Sequence, residues 1–282
     1  MPAPAASKPL RAATPVGELY AEAYGAGAPL LLVAGLGQGM WVWRWVVPTL
    51  AERTTTIAYD ARGVGRSPRP REAYSIADMA DDAATVLGSA EEFVAQSHEL
   101  GPAHVVGLSM GGYVALTLAL RRPELVRSLV LAGTGAGGPG RVPRPRHVAA
   151  AFTAALGLPH EEFARRTMPY TFAQGWTERN PVRFEEIVSA RLELPTPYET
   201  IEAHALACYR FYDEGCEVVR IDVPALVVHG DEDLIVPVEN GRRLAERLPN
   251  AEYVELRGAG HNLPLEDPPL FARLVAGFVS RV

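Results

Sequence analysis

Gly107-Leu108-Ser109-Met110-Gly111 sets a serine between two glycines, where an apolar run from Ala103 passes into a helix-length segment. A G-x-S-x-G turn between a strand and a helix is so sharp that side chains two positions from the serine would collide, and it pushes the hydroxyl out at the strand's carboxyl end. A serine hydroxyl is a poor nucleophile at neutral pH, so chemistry at Ser109 demands a histidine base and an acid to orient it. Of the seven histidines, His104 and His229 sit on apolar strands, where a satisfied core role is the default. His98, His147 and His160 have no glycine-rich turn to present them, and His204 falls in a separate helical stretch. His261 directly follows Arg257-Gly-Ala-Gly260 after the last strand, the place for a mobile base. Three carboxylates, Asp231, Glu232 and Asp233, lie just past an earlier strand end, and Asp233 is 28 residues before His261, giving the chain order Ser, Asp, His. A solvated acidic loop or a metal cluster competes for these carboxylates, but a metal site wants histidines at fixed short spacing, which are lacking.

Short apolar runs alternating with helix-length amphipathic ones must position these groups, and this rhythm predicts an α/β fold on a mostly parallel sheet. Strands are predicted at 18–24, 30–33, 55–59, 104–106, 128–131, 225–228 and 251–255. A capping box at Ser75-Ile-Ala-Asp78 opens a helix whose apolar positions Met79, Ala83, Val86, Ala90 and Val94 recur every three or four residues, expected to run to about Leu100. A second helix, from Met110, is closed by Pro123. Residues 135–220 break the rhythm with prolines between helical stretches and read as a helical insertion on the sheet.

Composition removes several chemistries. The 27 basic residues include one lysine, Lys8, so a P-loop, pyridoxal phosphate or Schiff-base site has no amine to use. A net charge of -6 provides no field for nucleic acid or anionic lipid. Cys208 and Cys216 lack CxxC spacing and read as free thiols. With no apolar leader in residues 1–17 and no membrane-length apolar run, a cytoplasmic protein without membrane insertion is expected. Gly35-Leu-Gly-Gln-Gly39, followed by a strand ending in Asp60, mimics a dinucleotide-binding unit, but Met40 stands where the third glycine belongs, with Trp41, Trp43 and Trp45 behind it.

Four segments together resemble the α/β-hydrolase superfamily, in its serine-nucleophile, esterase and enol-lactonase-like branch: Leu31–Gly37, Tyr59–Ser67, Gly107–Gly112, and the pair Val228–Asp233 with Gly258–His261. The resemblance implies an α/β-hydrolase core over residues 17–134 and 221–282, a helical cap over 135–220 and an N-terminal tail over 1–16. It implies Asp233 as the acid and the backbone N–H groups of Leu36 and Met110 as the oxyanion hole, with Asp60, Arg62, Gly63, Gly65 and Ser67 in a structural turn. Two departures stand out: Ala34-Gly35 replaces the His-Gly that often opens the oxyanion loop, and about ten residues, Gly88 to Gln96, extend the helix before the elbow strand.

The implied activity is hydrolysis of a carboxylic ester or lactone of a small, largely apolar molecule through an acyl-enzyme on Ser109, with no metal or organic cofactor. A carbon–carbon bond hydrolase, a perhydrolase of haloperoxidase type and a small-ligand binding module are the alternatives. Trp41, Trp43, Phe152, Trp176 and Tyr209 are the expected pocket residues. Arg141, Arg144 and Arg146 read first as part of a solvated, proline-stiffened loop, with a grip on a substrate carboxylate or an acidic carrier as the alternative.

Overall fold

In the computed structural model, which describes residues 7–94 and 101–282, eight strands form one sheet. They are β1 Ser7–Thr14, β2 Gly17–Tyr24, β3 Ala28–Val33, β4 Thr54–Tyr59, β5 Ala103–Leu108, β6 Val126–Ala132, β7 Ala225–Gly230 and β8 Ala251–Leu256, in the order β1-β2-β4-β3-β5-β6-β7-β8. β1 and β2 are antiparallel to their neighbours and all later pairs are parallel. The chain is an α/β-hydrolase fold with a helical insertion.

The central strands are buried along their whole length, as expected where helices cover both faces. Alternation sends Leu31 and Val33 into one core and Leu30 and Leu32 into the other. The longer helices are α1 Ile76–Val94, α2 Met110–Arg121, α3 Arg146–Ala155, α4 His160–Thr167, α5 Pro181–Leu192, α6 Tyr198–Glu214, α7 Val238–Arg247 and α8 Pro268–Val279. Helices α3 to α6 lie between β6 and β7 and make the cap.

Ser7–Thr14, expected in the tail, is instead an edge strand paired residue for residue with β2. Only Leu10 and Ala12 turn inward, which is why its pattern is faint, and an edge position tolerates Pro9. The α1 capping box is reciprocal: Asp78 N–H donates to Ser75 Oγ at 3.2 Å, and Ser75 N–H to Asp78 Oδ2 at 2.7 Å. Met79, Ala83, Val86 and Ala90 are buried along the inner face of α1. The last part of the predicted helix and of the Gly88–Gln96 extension, residues 95–100, lies outside the described residues. Among the described residues no helix is long and apolar enough to cross a membrane.

Strand order reverses around β3 and β5. After β3 the chain crosses to β4 on one side, and after β5 to β6 on the other, leaving a crevice at the carboxyl ends of β3 and β5. Leu36 follows β3 and Ser109 follows β5, so the topology alone puts the Leu36 loop beside the serine.

Candidate active site

Ser109 has φ 56° and ψ -118°, and it is the one non-glycine residue with positive φ among the described residues. Such a conformation costs about 1–3 kcal/mol and must be held by its surroundings. Ser109 N–H donates to Ala132 O at 2.9 Å, while Ser109 O accepts from Gly112 N–H and Thr134 Oγ1, both at 2.8 Å. The flanking glycines are obligatory. A Cβ on Gly111 would stand 2.0 Å from Val33 O, and one on Gly107 2.4 Å from Gly111 O.

His261 and Asp233, the expected base and acid, meet from two later loops. His261 Nδ1 and Asp233 Oδ2 are 2.7 Å apart, both buried. Asp233 Oδ1 accepts the N–H groups of Ile235 at 2.7 Å and Val236 at 2.8 Å, so the tight turn after β7 fixes the carboxylate. Burial opposes the charge on Asp233, but His261 and His229 outweigh it and hold the carboxyl well below the usual range. Asp231 and Glu232 are used elsewhere, accepting from Gly258 N–H and Gln174 N–H.

His261 lies against the end of β6, where a Cβ on Gly133 would come 3.1 Å from its Nδ1, and Ser109 is tethered to Ala132 and Thr134 on either side. The Ser109 hydroxyl makes no hydrogen bond among the described residues.

The loop after β3, expected to carry one oxyanion donor, is ordered without a histidine of its own. Gly35 N–H donates to Gln38 Oε1 at 3.2 Å, Gln38 N–H to Gly35 O at 3.1 Å, and Gly37 N–H to His204 Nδ1 at 3.2 Å. Leu36 N–H, between them, finds no acceptor among the described residues, and neither does Met110 N–H at the start of α2. A Cβ on Gly35 would stand 3.4 Å from Ser109 Cβ, so this loop lies against the serine.

A sequence profile described as alpha/beta hydrolase fold matches residues 28–268. The chain belongs to this family. RutD of Azorhizobium caulinodans, a protein named as a carbamate hydrolase, is 31% identical over 265 residues, covering 94% of this chain and 96% of its own. The 2-hydroxymuconate semialdehyde hydrolase of a Pseudomonas species is 32% identical, covering 91% and 88%. The crystal structure of the enol-lactonase from Burkholderia xenovorans LB400 superposes with a TM-score of 0.80 at 27% identity, covering 96% and 99%.

The turn after β4 in this α/β hydrolase is scaffolding. Asp60 accepts Met40 N–H and Arg66 N–H, leaving no carboxylate oxygen for a nucleotide ribose, and Arg62 forms a buried pair with Asp82 at 2.7 Å. The expected pocket aromatics separate. Trp43 is fully buried against Phe271 and Trp176 is buried against Phe172, so both are core. Tyr209 is 69% exposed. Trp41 lines a cleft with Met40, Arg44 and Asp60 that does not include Ser109. Phe152 alone joins Leu36, packing with Phe163, Ile201 and Tyr198 under the cap. Aromatic type signals burial but not which cavity a ring faces.

Three residues escaped sequence reasoning. His229 is fully buried as expected, but its Nε2 lies 3.3 Å from Asp233 Oδ2 as well as 2.8 Å from Val236 O. Its spacing of four from Asp233 was the available signal. His204, on α6, accepts from Gly37 N–H and holds its other nitrogen 3.2 Å from Arg62 O, and burial lowers its pKa to about 4. Thr171 O accepts both His261 N–H and Asn262 N–H, so the cap holds the base loop. Nothing local in sequence marks those last two contacts.

Proposed function

We propose that the chain is a serine hydrolase that cleaves a carboxylic ester or lactone of a small, largely apolar molecule through an acyl-enzyme on Ser109. The observation that carries this reading is a pair of unpartnered donors from two elements, Leu36 N–H, in a loop where the N–H groups of Gly35, Gly37 and Gln38 are matched, and Met110 N–H, at the first residue of α2. A helix's first N–H groups have no acceptor within the helix and point outward, so Met110 N–H beside the open Leu36 N–H offers two donors to a ligand oxygen.

Ser109 Oγ attacks the acyl carbonyl while His261 Nε2 takes its proton, and Asp233 holds the imidazole in the Nδ1–H tautomer and stabilises its charged form. The carbonyl oxygen becomes negative and is met by Leu36 N–H and Met110 N–H, each such donor being worth ~10²–10³ in rate. The tetrahedral species collapses, the leaving oxygen takes the proton from His261, and the acyl group stays on Ser109. Water, deprotonated by His261, then attacks the ester and releases the acid.

Carbon–carbon bond hydrolysis is the second reading, favoured by the 32% identity with the semialdehyde hydrolase. Labelling with a fluorophosphonate and turnover of a panel of aryl esters, lactones and vinylogous diketones separate the two. Ester or lactone turnover that vanishes in Ser109→Ala supports the first reading. Turnover of diketones alone supports the second, and no Ser109 labelling overturns both.

A further inference from the structure

His229 reaches Asp233 from the strand beneath it. It turns to the same face of β7 as Val227, two residues earlier, and α7 packs onto its ring, where a Cβ on Gly241 would stand 2.2 Å from Nδ1. The side chain is completely buried, and Nδ1 has no hydrogen-bond partner among the described residues. A proton there would find no acceptor, whereas Nε2 has two within reach, Val236 O at 2.8 Å and Asp233 Oδ2 at 3.3 Å. The ring proton therefore belongs on Nε2 and is shared between them.

This proton completes the surroundings of the carboxylate, which offers about four acceptor positions. Asp233 Oδ1 takes the N–H groups of Ile235 and Val236, and Oδ2 faces both His261 Nδ1 at 2.7 Å and His229 Nε2. With the other positions filled from the strand and the turn, the one that remains points at His261. Val236 is held at both ends, its N–H by Oδ1 and its carbonyl by His229. One ring thus ties the turn after β7 to the carboxylate which that turn carries.

We propose that His229 is a positioning residue for the hydrolysis at Ser109: by donating Nε2–H to Asp233 Oδ2 and Val236 O, it fixes the rotation of the carboxylate and the direction of its hydrogen bond to His261. It acts through Asp233 and takes no proton from the substrate or the serine. The inference rests on the hydrolytic reading and deepens it by naming what aims the acid. A base whose partner swings loses reacting geometry more than substrate affinity, so the effect belongs in kcat.

His229→Phe keeps a ring in the space and removes the donor, while His229→Gln restores a side-chain N–H at about the same reach. In steady-state turnover of 4-nitrophenyl acetate, His229→Phe should lower kcat about ten- to hundred-fold with KM within about two-fold, and His229→Gln should recover most of the loss. Gly241→Ala displaces the ring from outside the site, through the contact with Nδ1, and should lower kcat in the same way even if the Phe variant does not fold. Proton NMR reads the Asp233–His261 bond directly, as a downfield Nδ1–H resonance that His261→Ala abolishes. That resonance should shift or broaden away in His229→Phe and Gly241→Ala and return in His229→Gln. An unchanged kcat or an unmoved resonance in the folded variants overturns the proposal, and so does a loss that His229→Gln does not recover. If the parent turns over no aryl ester, the hydrolytic reading falls and the resonance still decides: disappearance in His229→Phe with return in His229→Gln upholds the positioning, and persistence, or its absence from the parent, overturns it.

Discussion

Gln38 and Asn262 meet side chain to side chain, Gln38 Nε2–H donating to Asn262 Oδ1 at 3.1 Å across 224 residues of sequence. The other end of Gln38 accepts Gly35 N–H, and the other end of Asn262 donates to Thr171 Oγ1 at 2.7 Å. The Leu36 loop and the His261 loop are thereby one hydrogen-bonded unit. Gln38→Ala and Asn262→Ala should each lower kcat more than they raise KM, and the double variant should fall short of additivity by ~0.5–3 kcal/mol. Full additivity in a double-mutant cycle would show the two loops to be independent.

Ser109→Gly should separate stability from catalysis. Glycine adopts φ 56° at little cost, so removing the side chain relieves strain of about 1–3 kcal/mol, less the entropy that glycine adds to the unfolded chain. A melting temperature at or above that of the parent, with fluorophosphonate labelling abolished, is the expected result of thermal denaturation and mass spectrometry.

Gly111→Ala should behave in the opposite way. Its Cβ would overlap Val33 O at 2.0 Å, and β3 must move for it to fit. Destabilisation of about 1–3 kcal/mol or more is expected in urea unfolding, together with loss of turnover, because the same movement displaces the loop that begins after Val33.

His204→Ala leaves Gly37 N–H and Arg62 O without their side-chain partner in a buried place, a cost of ~1–3 kcal/mol. Its kinetic signature should be a lower kcat with KM little changed, since Gly37 adjoins Leu36. His204→Gln, which offers an acceptor and a donor, should recover part of the loss. A purely structural role would move the melting temperature but not kcat at a temperature where both variants are folded.

Stability should fall between about pH 6.5 and pH 4. In the unfolded chain His104 and His204 protonate near 6.5, whereas burial lowers both to about 4 in the folded protein. Through that interval the unfolded state binds more protons, so the folded state loses ground as pH drops, by up to roughly 3 kcal/mol for each histidine. Asp233 works in a lower window: its contribution is complete above the usual aspartate value near 3.9 and erodes as pH falls through its depressed folded value. Urea midpoints at pH 7 and pH 4.5 read the histidine term, and His204→Gln should flatten the difference.

The predicted strands from 18–24 onward all occur, most plainly the central parallel ones, which are buried along their length and write themselves as short apolar runs, and Ser109 announces itself by glycines that no other residue can replace. His261 was legible from the glycine turn before it. The supports of the site were not. His204 reaches Gly37 from 167 residues away, and Thr171 reaches His261 across the cap, contacts created by packing and invisible to local pattern. Ser7–Thr14 was missed because an edge strand buries too few side chains to show its period.

Gly260 sits so close to the cap that a Cβ there would lie 2.3 Å from the Phe172 backbone, and the next two N–H groups both rest on Thr171 O. The helical insertion is therefore also the bed on which His261, the proposed base, lies. Grafting a foreign cap to change specificity would carry off the support of His261 along with the old pocket, so a working chimera must retain the Thr171–Phe172 segment. If the insertion lines the substrate's space, a change of specificity made there would be felt at His261 as well.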